Sequence, residues 1–219
     1  MNIGYLEITF HFPEEIKTSY IEFNKAVRIA LLQYPIITQM VPPTSATLFN
    51  SLEGADFYRS LSITTYQIEV SEPIDDTQEF TEIIGLLRPI LESVLEVLRI
   101  GRLKALTLNF NLSLKSVTKE WDRPLIKNLD SIISLEMKST LNGKDFKPGI
   151  RISFEDNKEP NVKHYSLFIE PNFSAPDFNY FSARIYISRD VELPEAFNLV
   201  LLEYNYIKNK VLPLLEIGE

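Results

Sequence analysis

In the segment 102–114, uncharged polar side chains occupy every second position from residue 107: Thr107, Asn109, Asn111 and Ser113. Their hydroxyl and amide groups donate and accept hydrogen bonds, so together they could hold a small ligand. Successive side chains of a strand point to opposite faces, and the leucines and phenylalanine between them would face a core. In a pocket this row would form a ligand site, whereas on an antiparallel sheet it would more often be a solvated face.

Two arginines precede this row, and we expect them to supply any anion binding. Arg99 and Arg102 lie between a predicted helix and the strand, and guanidinium groups bind carboxylate or phosphate with two parallel hydrogen bonds. The same positions suit a simpler role, because cations near a helix C-terminus stabilise the helix dipole. Both interpretations stay open, and the simpler role has the higher prior.

A second candidate site surrounds the single tryptophan. Trp121, Asp122 and Arg123 are consecutive in a predicted loop, and Trp and Arg are enriched where proteins bind one another. We therefore assign them to partner binding. The alternative is a tryptophan that covers the edge of the core beside a surface ion pair.

Catalytic chemistry has little support. His11 and Glu7 share the polar row of the first predicted strand, but the spacing offers no third group to complete a triad. Glycine-rich phosphate loops and zinc-binding spacings do not occur, and the chain has no cysteine. We predict no catalytic residue, no metal and no cofactor, while leaving an enzyme open because carboxylate pairs leave no local signature.

Composition restricts the class of protein. The chain has 219 residues, a formal net charge of −8 and 45% hydrophobic residues, which is enough for a substantial core. An acidic chain is unsuited to generic nucleic-acid binding, although a local basic patch remains compatible. The absence of a signal peptide and of a long apolar run predicts a cytoplasmic protein that does not enter a membrane.

The elements that must position these residues follow from hydrophobic periodicity. We predict a strand at 3–12, a helix from Pro13 to Pro35, and a strand at 61–70. A second helix at 77–98, with Pro89 inside it, precedes the strand 102–114. The remaining predicted elements are strands at 132–141, 149–155, 165–170 and 181–189 and a helix from 193.

This order lacks a regular alternation of strands and helices. It predicts an α+β fold: a largely antiparallel sheet of about 7–8 strands with three long helices on one face. Strand and helix recur in similar order twice, so two similar halves are compatible with the pattern. We treat residues 1–219 as a single domain, with 115–131 as the best candidate seam.

The order of elements resembles a sporadically distributed family of uncharacterised bacterial proteins. The resemblance runs through the strand 6–10, Tyr34-Pro35 and Tyr66, the helix 77–98, an Arg-x6-Asn strand and the closing helix 193–215. The Arg-x6-Asn pattern falls on Arg102 and Asn109. Leu106 and Thr107 stand where the family has Arg and Tyr, and a second register from Arg99 matches only the start. The resemblance implies a bacterial source and a neighbourhood of mobile-element or defence genes, and implies no activity.

These observations favour an uncharacterised cytoplasmic bacterial protein that acts by binding a protein partner, as an accessory or immunity component. The alternative is a small-molecule or nucleotide-binding protein, with or without catalysis, that uses the polar face of 102–114. A homo-oligomer is compatible with both.

Overall fold

The structure, a computed structural model, describes residues 4–51, 58–74, 80–115, 150–156, 162–171 and 178–211. These residues form one nine-stranded sheet in the order β2-β3-β4-β5-β1-β6-β9-β8-β7, in which every pairing is antiparallel. The strands are β1 Gly4–His11, β2 Ile36–Val41, β3 Ser45–Ser51, β4 Tyr58–Thr64, β5 Gln67–Ile74, β6 Arg102–Lys115, β7 Ile150–Asp156, β8 Val162–Pro171 and β9 Phe178–Glu192.

Three helices of the described residues pack on the apolar face of this sheet: α1 Tyr20–Ala30, α2 Phe80–Val97 and α3 Leu193–Tyr206, the last followed by a π-helical turn Ile207–Val211. α2 contacts both α1 and α3. The predicted α+β fold is therefore confirmed, with nine described strands instead of 7–8. Within the described ranges, no helix is long and apolar enough to cross a membrane.

Alternation in the two central strands creates the apolar face. β1 directs Leu6, Ile8 and Phe10 towards the helices, and β6 places Phe110, Leu108 and Leu106 opposite them. All six of these side chains are buried. The intervening side chains must then point to the other face of the sheet, which we call the open face.

The first helix begins later than the sequence indicates. We expected it to open at Pro13, but residues 12–19 are not helical and Ser19 is the N-cap. The Ser19 hydroxyl accepts a hydrogen bond from the Glu22 backbone N–H, and the Glu22 carboxylate accepts one from the Ser19 N–H. This capping box satisfies two backbone donors, which no residue near Pro13 does.

The predicted strand 61–70 is two strands, β4 and β5, joined at Thr65 and Tyr66. The Thr64 hydroxyl accepts hydrogen bonds from the backbone N–H groups of Tyr66 and Gln67. A β-branched residue thus forms the turn through its side chain, although turns more often use Gly, Pro or Asn.

The prediction also missed β2, which lies at the outer edge of the sheet. It pairs with β3 in an antiparallel register. The predicted strand 132–141 lies outside the described residues, as do Trp121, Asp122 and Arg123. The candidate seam 115–131 does too, apart from Lys115.

Candidate functional site

The open face of the sheet carries the polar rows of five neighbouring strands. Its cross-strand registers place Thr9, Thr107, Tyr186, His164 and Glu155 in one line from β1 to β7. The next line runs through Glu7, Asn109, Arg184, Ser166 and Ser153. The row predicted on β6 is therefore the middle of a wider polar surface.

The three predicted β6 residues bond to their neighbours on this surface. The Thr107 hydroxyl lies 2.8 Å from His11 Nε2, and Asn109 donates to the Glu7 carboxylate over 3.3 Å. The Asn111 side-chain oxygen accepts a 2.7 Å hydrogen bond from Tyr180. Thr107 is 3% exposed, which leaves it little surface to offer a ligand. These residues link β1, β6 and β9.

Arg99 lies away from this row, at the C-terminus of α2. Its φ of 61° is left-handed, and the bonds from its N–H to Glu96 and from Ile100 N–H to Leu95 complete a Schellman motif. Its guanidinium lies 2.6 Å from Glu22 of α1, which is on the helix side of the sheet. The structure thus places Arg99 with the helix termini and does not bring it to the polar row.

Arg102 is the first residue of β6 and is exposed, opposite Glu192 of β9. A register shift between Leu103 and Ala105 separates it from the regular part of the strand that carries Thr107.

A basic region lies instead over β7, β8 and β9. Arg151, Ser153, Glu155, His164, Arg184 and Tyr186 line a concavity of about 390 Å³. Arg151 and Arg184 are both exposed, and Arg151 Nε donates to Ser166 Oγ over 3.3 Å. Glu155 brings a negative charge, but it pairs with His164 at 2.9 Å. Within the described ranges Arg184 forms no ion pair.

A second concavity of about 300 Å³ adjoins the first, and both are lined by Arg151, Arg184 and Ser166. Phe168 and Ser182 complete the second concavity. Arg184 therefore lies between an aromatic pair, Tyr186 with His164, and the ring of Phe168. Arg151 is opposite Phe168 in register, and its Nε–H bond to Ser166 directs it towards Arg184.

The only two histidines of the chain flank Tyr186. The ring of His11 lies 6.3 Å from the Tyr186 ring, and that of His164 lies 6.1 Å from it. Burial lowers the pKa of His11, and the positive charges of Arg184 and Lys104 lower it further. The neutral form of His11 is thus favoured, and His11 Nε2 can share a hydrogen bond with Thr107.

The opposite part of the open face is acidic. Glu7 lies on β1 and Glu69 on β5, the neighbouring strand. Burial raises the pKa of Glu69, and the charge of Glu7 raises it further. Acidic side chains thus lie over β1 and β5, and basic ones lie over β7 and β9 on the same face of the sheet. An anion would therefore be directed to the basic region.

Two buried carboxylates bond the segment after α1 and the helix α3 to the sheet that carries this surface. Glu72 of β5 accepts a 2.7 Å bond from the Tyr34 hydroxyl and pairs with Arg59 of β4. Glu203 of α3 accepts a 2.9 Å bond from Tyr165 and pairs with Lys163, both on β8. Each carboxylate has two partners, as a buried charge requires.

Sequence reasoning missed Arg151, Arg184 and Tyr186. The alternation in β7 and β9 puts them on one face, and this signal is visible in the sequence. What the sequence does not show is that β8 lies between β7 and β9, so no local pattern joins Arg151 to Arg184.

Comparisons with protein-family models, with curated proteins and with solved structures find no match. Among the described residues no group of three or more His, Asp or Glu side chains is arranged to hold a metal ion.

Proposed function

We propose that this protein binds a small anionic ligand in the basic region, through Arg151 and Arg184. The observation that carries the proposal is the exposed Arg184 guanidinium, which has no carboxylate partner in the described part of the chain and shares two concavities with Arg151. Arginine binds phosphate and carboxylate groups through two parallel hydrogen bonds, and serine hydroxyls beside it add further donors.

This proposal develops the nucleotide-binding alternative from the sequence, but it assigns the anion contacts to different arginines. Arg151 and Arg184 take the role predicted for Arg99 and Arg102, and Thr107, Asn109 and Asn111 support the surface beside them. No catalytic step is part of the proposal.

Calorimetric titration with inorganic pyrophosphate tests the site. A charge-assisted hydrogen bond contributes about 1.5–3 kcal/mol, so Arg184→Gln and Arg151→Gln should each weaken binding about tenfold or more. Arg28→Gln, on the exposed side of α1, is the matched control and should bind as the wild type does. Failure of pyrophosphate to bind, or equal binding by all variants, would refute the proposal.

The second candidate is the protein partner that the sequence favours, and the edge strand β2 supports it. Ile36, Ile37 and Val41 are 47%, 42% and 52% exposed, and the strand has no charged residue. An open, uncharged edge can pair with an extended segment of another chain. A native partner, once identified by mass spectrometry, should dissociate from a Gln39→Lys variant, because a lysine on the edge discourages pairing. Retention of the partner would refute this mode.

We also propose the two similar halves that the sequence suggests. Counting outward from the central strands, β1 is followed by β5, β4 and β3, and β6 by β9, β8 and β7. α2 follows the first set along the chain and α3 the second. Co-expressed fragments 1–101 and 102–219 should then associate, and fragments that remain separate would contradict the proposal.

A further inference from the structure

The aromatic rings beside the two arginines narrow the chemical class of the ligand, because Arg184 lies between two aromatic positions and Arg151 is opposite Phe168. β9 places Ser182, Arg184 and Tyr186 on the open face, and β8 places Phe168, Ser166 and His164 beside them. The registers thus give an order of ring, guanidinium, ring along the strands. His164 and Phe168 are four residues apart, which is about 13 Å in a strand.

We propose that the basic region binds a dinucleotide step of single-stranded nucleic acid. The phosphodiester lies on Arg151 and Arg184, one base stacks at Tyr186 and His164, and the other at Phe168. This inference rests on the proposed anion site and specifies its ligand. Single-stranded binding sites on sheets combine cationic side chains with aromatic rings in this way, because every base has a face that can stack.

The surroundings favour this ligand over a bare anion or a duplex. A bare phosphate would use the two guanidinium groups and leave the three aromatic rings without a role. A duplex hides its bases and needs a broad basic face, whereas this chain has a net charge of −8 and acidic Glu7 and Glu69 on the same sheet. A dinucleotide is short enough to stay within the basic region.

Local charges are also compatible with a phosphodiester. His164 Nδ1 lies 2.9 Å from the Glu155 carboxylate, so this carboxylate has a hydrogen-bond partner where one base would lie. Ser153, Ser166 and Ser182 line the concavities and can donate to phosphate or sugar oxygens.

The test compares three probes by fluorescence competition and calorimetry: 5′-phosphorylated diadenylate, a 5′-phosphorylated abasic dinucleotide of the same charge, and inorganic pyrophosphate. Stacking of a base on an aromatic ring is expected to strengthen binding of the diadenylate about five- to hundredfold over the abasic probe. Phe168→Leu and Tyr186→Leu should remove most of this advantage and leave pyrophosphate binding unchanged. Tyr186→Phe keeps the ring and should keep the advantage.

The outcomes separate this inference from the anion site. If pyrophosphate binds and Arg184→Gln weakens its binding, but both dinucleotides bind equally, the anion site stands and the nucleic-acid inference is wrong. If none of the probes binds, both proposals are wrong. Thermal unfolding of each variant shows whether it is folded, and an unchanged diadenylate affinity in folded Phe168→Leu and Tyr186→Leu would also overturn the inference.

Discussion

The buried group of Tyr34, Glu72 and Arg59 shows how single residues hold the fold together. Glu72 is 2% exposed, and burial raises the pKa of its carboxyl, while the bonds from Arg59 and Tyr34 favour the ionised form. A carboxylate in this position is tolerated because both of its oxygens are bonded. The group joins the chain after α1 to β4 and β5.

Removing the Tyr34 hydroxyl should therefore be costly. Tyr34→Phe leaves one Glu72 oxygen without its partner, and we expect the free energy of unfolding to fall by about 1–3 kcal/mol. Urea denaturation measures the change. Tyr20→Phe, whose side chain is 61% exposed, is the control and should stay within about 0.5 kcal/mol of the wild type. Equal stability of the two variants would show that the Tyr34–Glu72 bond contributes little.

His11 should make stability depend on pH. Its pKa is lowered in the folded protein, so below its ordinary value of about 6.5 protons bind the unfolded chain more tightly. The stability present above that pH is therefore lost as the pH falls. Glu69 and Glu72 have raised pKa values and act in the opposite direction, so the test is a difference between variants.

Urea denaturation between pH 7.5 and pH 5 measures this difference. The wild type should lose more stability over the range than His11→Gln, which keeps a partner for Thr107 and cannot titrate. If the His11→Gln and wild-type curves stay parallel, burial does not disfavour the charged form of His11.

At the scale of elements, substitution of single glycines by alanine tests how closely the strands pack and how stable the helix α2 is. A Cβ on Gly4 of β1 would lie 2.1 Å from the backbone oxygen of Asn111 in β6, while one on Gly85 of α2 would meet nothing within 4 Å. Gly4→Ala should lower the free energy of unfolding by about 1–3 kcal/mol through overpacking. Gly85→Ala should raise it by about 0.5–1 kcal/mol because alanine favours the helix.

Chemical denaturation of both variants, with Gly101→Ala as a control in open space, checks this pair. A Gly4→Ala protein as stable as the wild type would contradict the close approach of β1 and β6.

The elements that the sequence predicts well are those whose apolar period is long and uninterrupted. β1, α2 and β6 are confirmed because each alternation or stripe covers several turns or pleats of one buried face. The sequence fails where side chains set the boundaries. Ser19 caps α1 and Thr64 turns the β4–β5 hairpin through hydrogen bonds that a hydrophobic pattern does not record.

At the scale of the molecule, the site depends on strand order more than on any motif. Thr107, Asn109 and Asn111 share one face, as their spacing predicts, and their partners lie on β1 and β9. Arg151 of β7 and Arg184 of β9 lie close together because both strands pair with the same strand, β8. Sequence distance gives no guide to that neighbourhood, so the basic region became visible only in the folded sheet.

This strand order also places the acidic side chains over β1 and β5 and the basic ones over β7 and β9, at different ends of one sheet. An acidic protein can then present a local basic surface, which net charge alone conceals.

Side-chain nuclear magnetic resonance of the arginines tests the basic region most directly. Titration with inorganic pyrophosphate should shift the Nε–H signals of Arg151 and Arg184 together, at one common affinity. The signals of Arg28 on α1 and Arg88 on α2 should stay in place. Shifts at Arg28 or Arg88 with none at Arg184 would contradict an anion site on the open face.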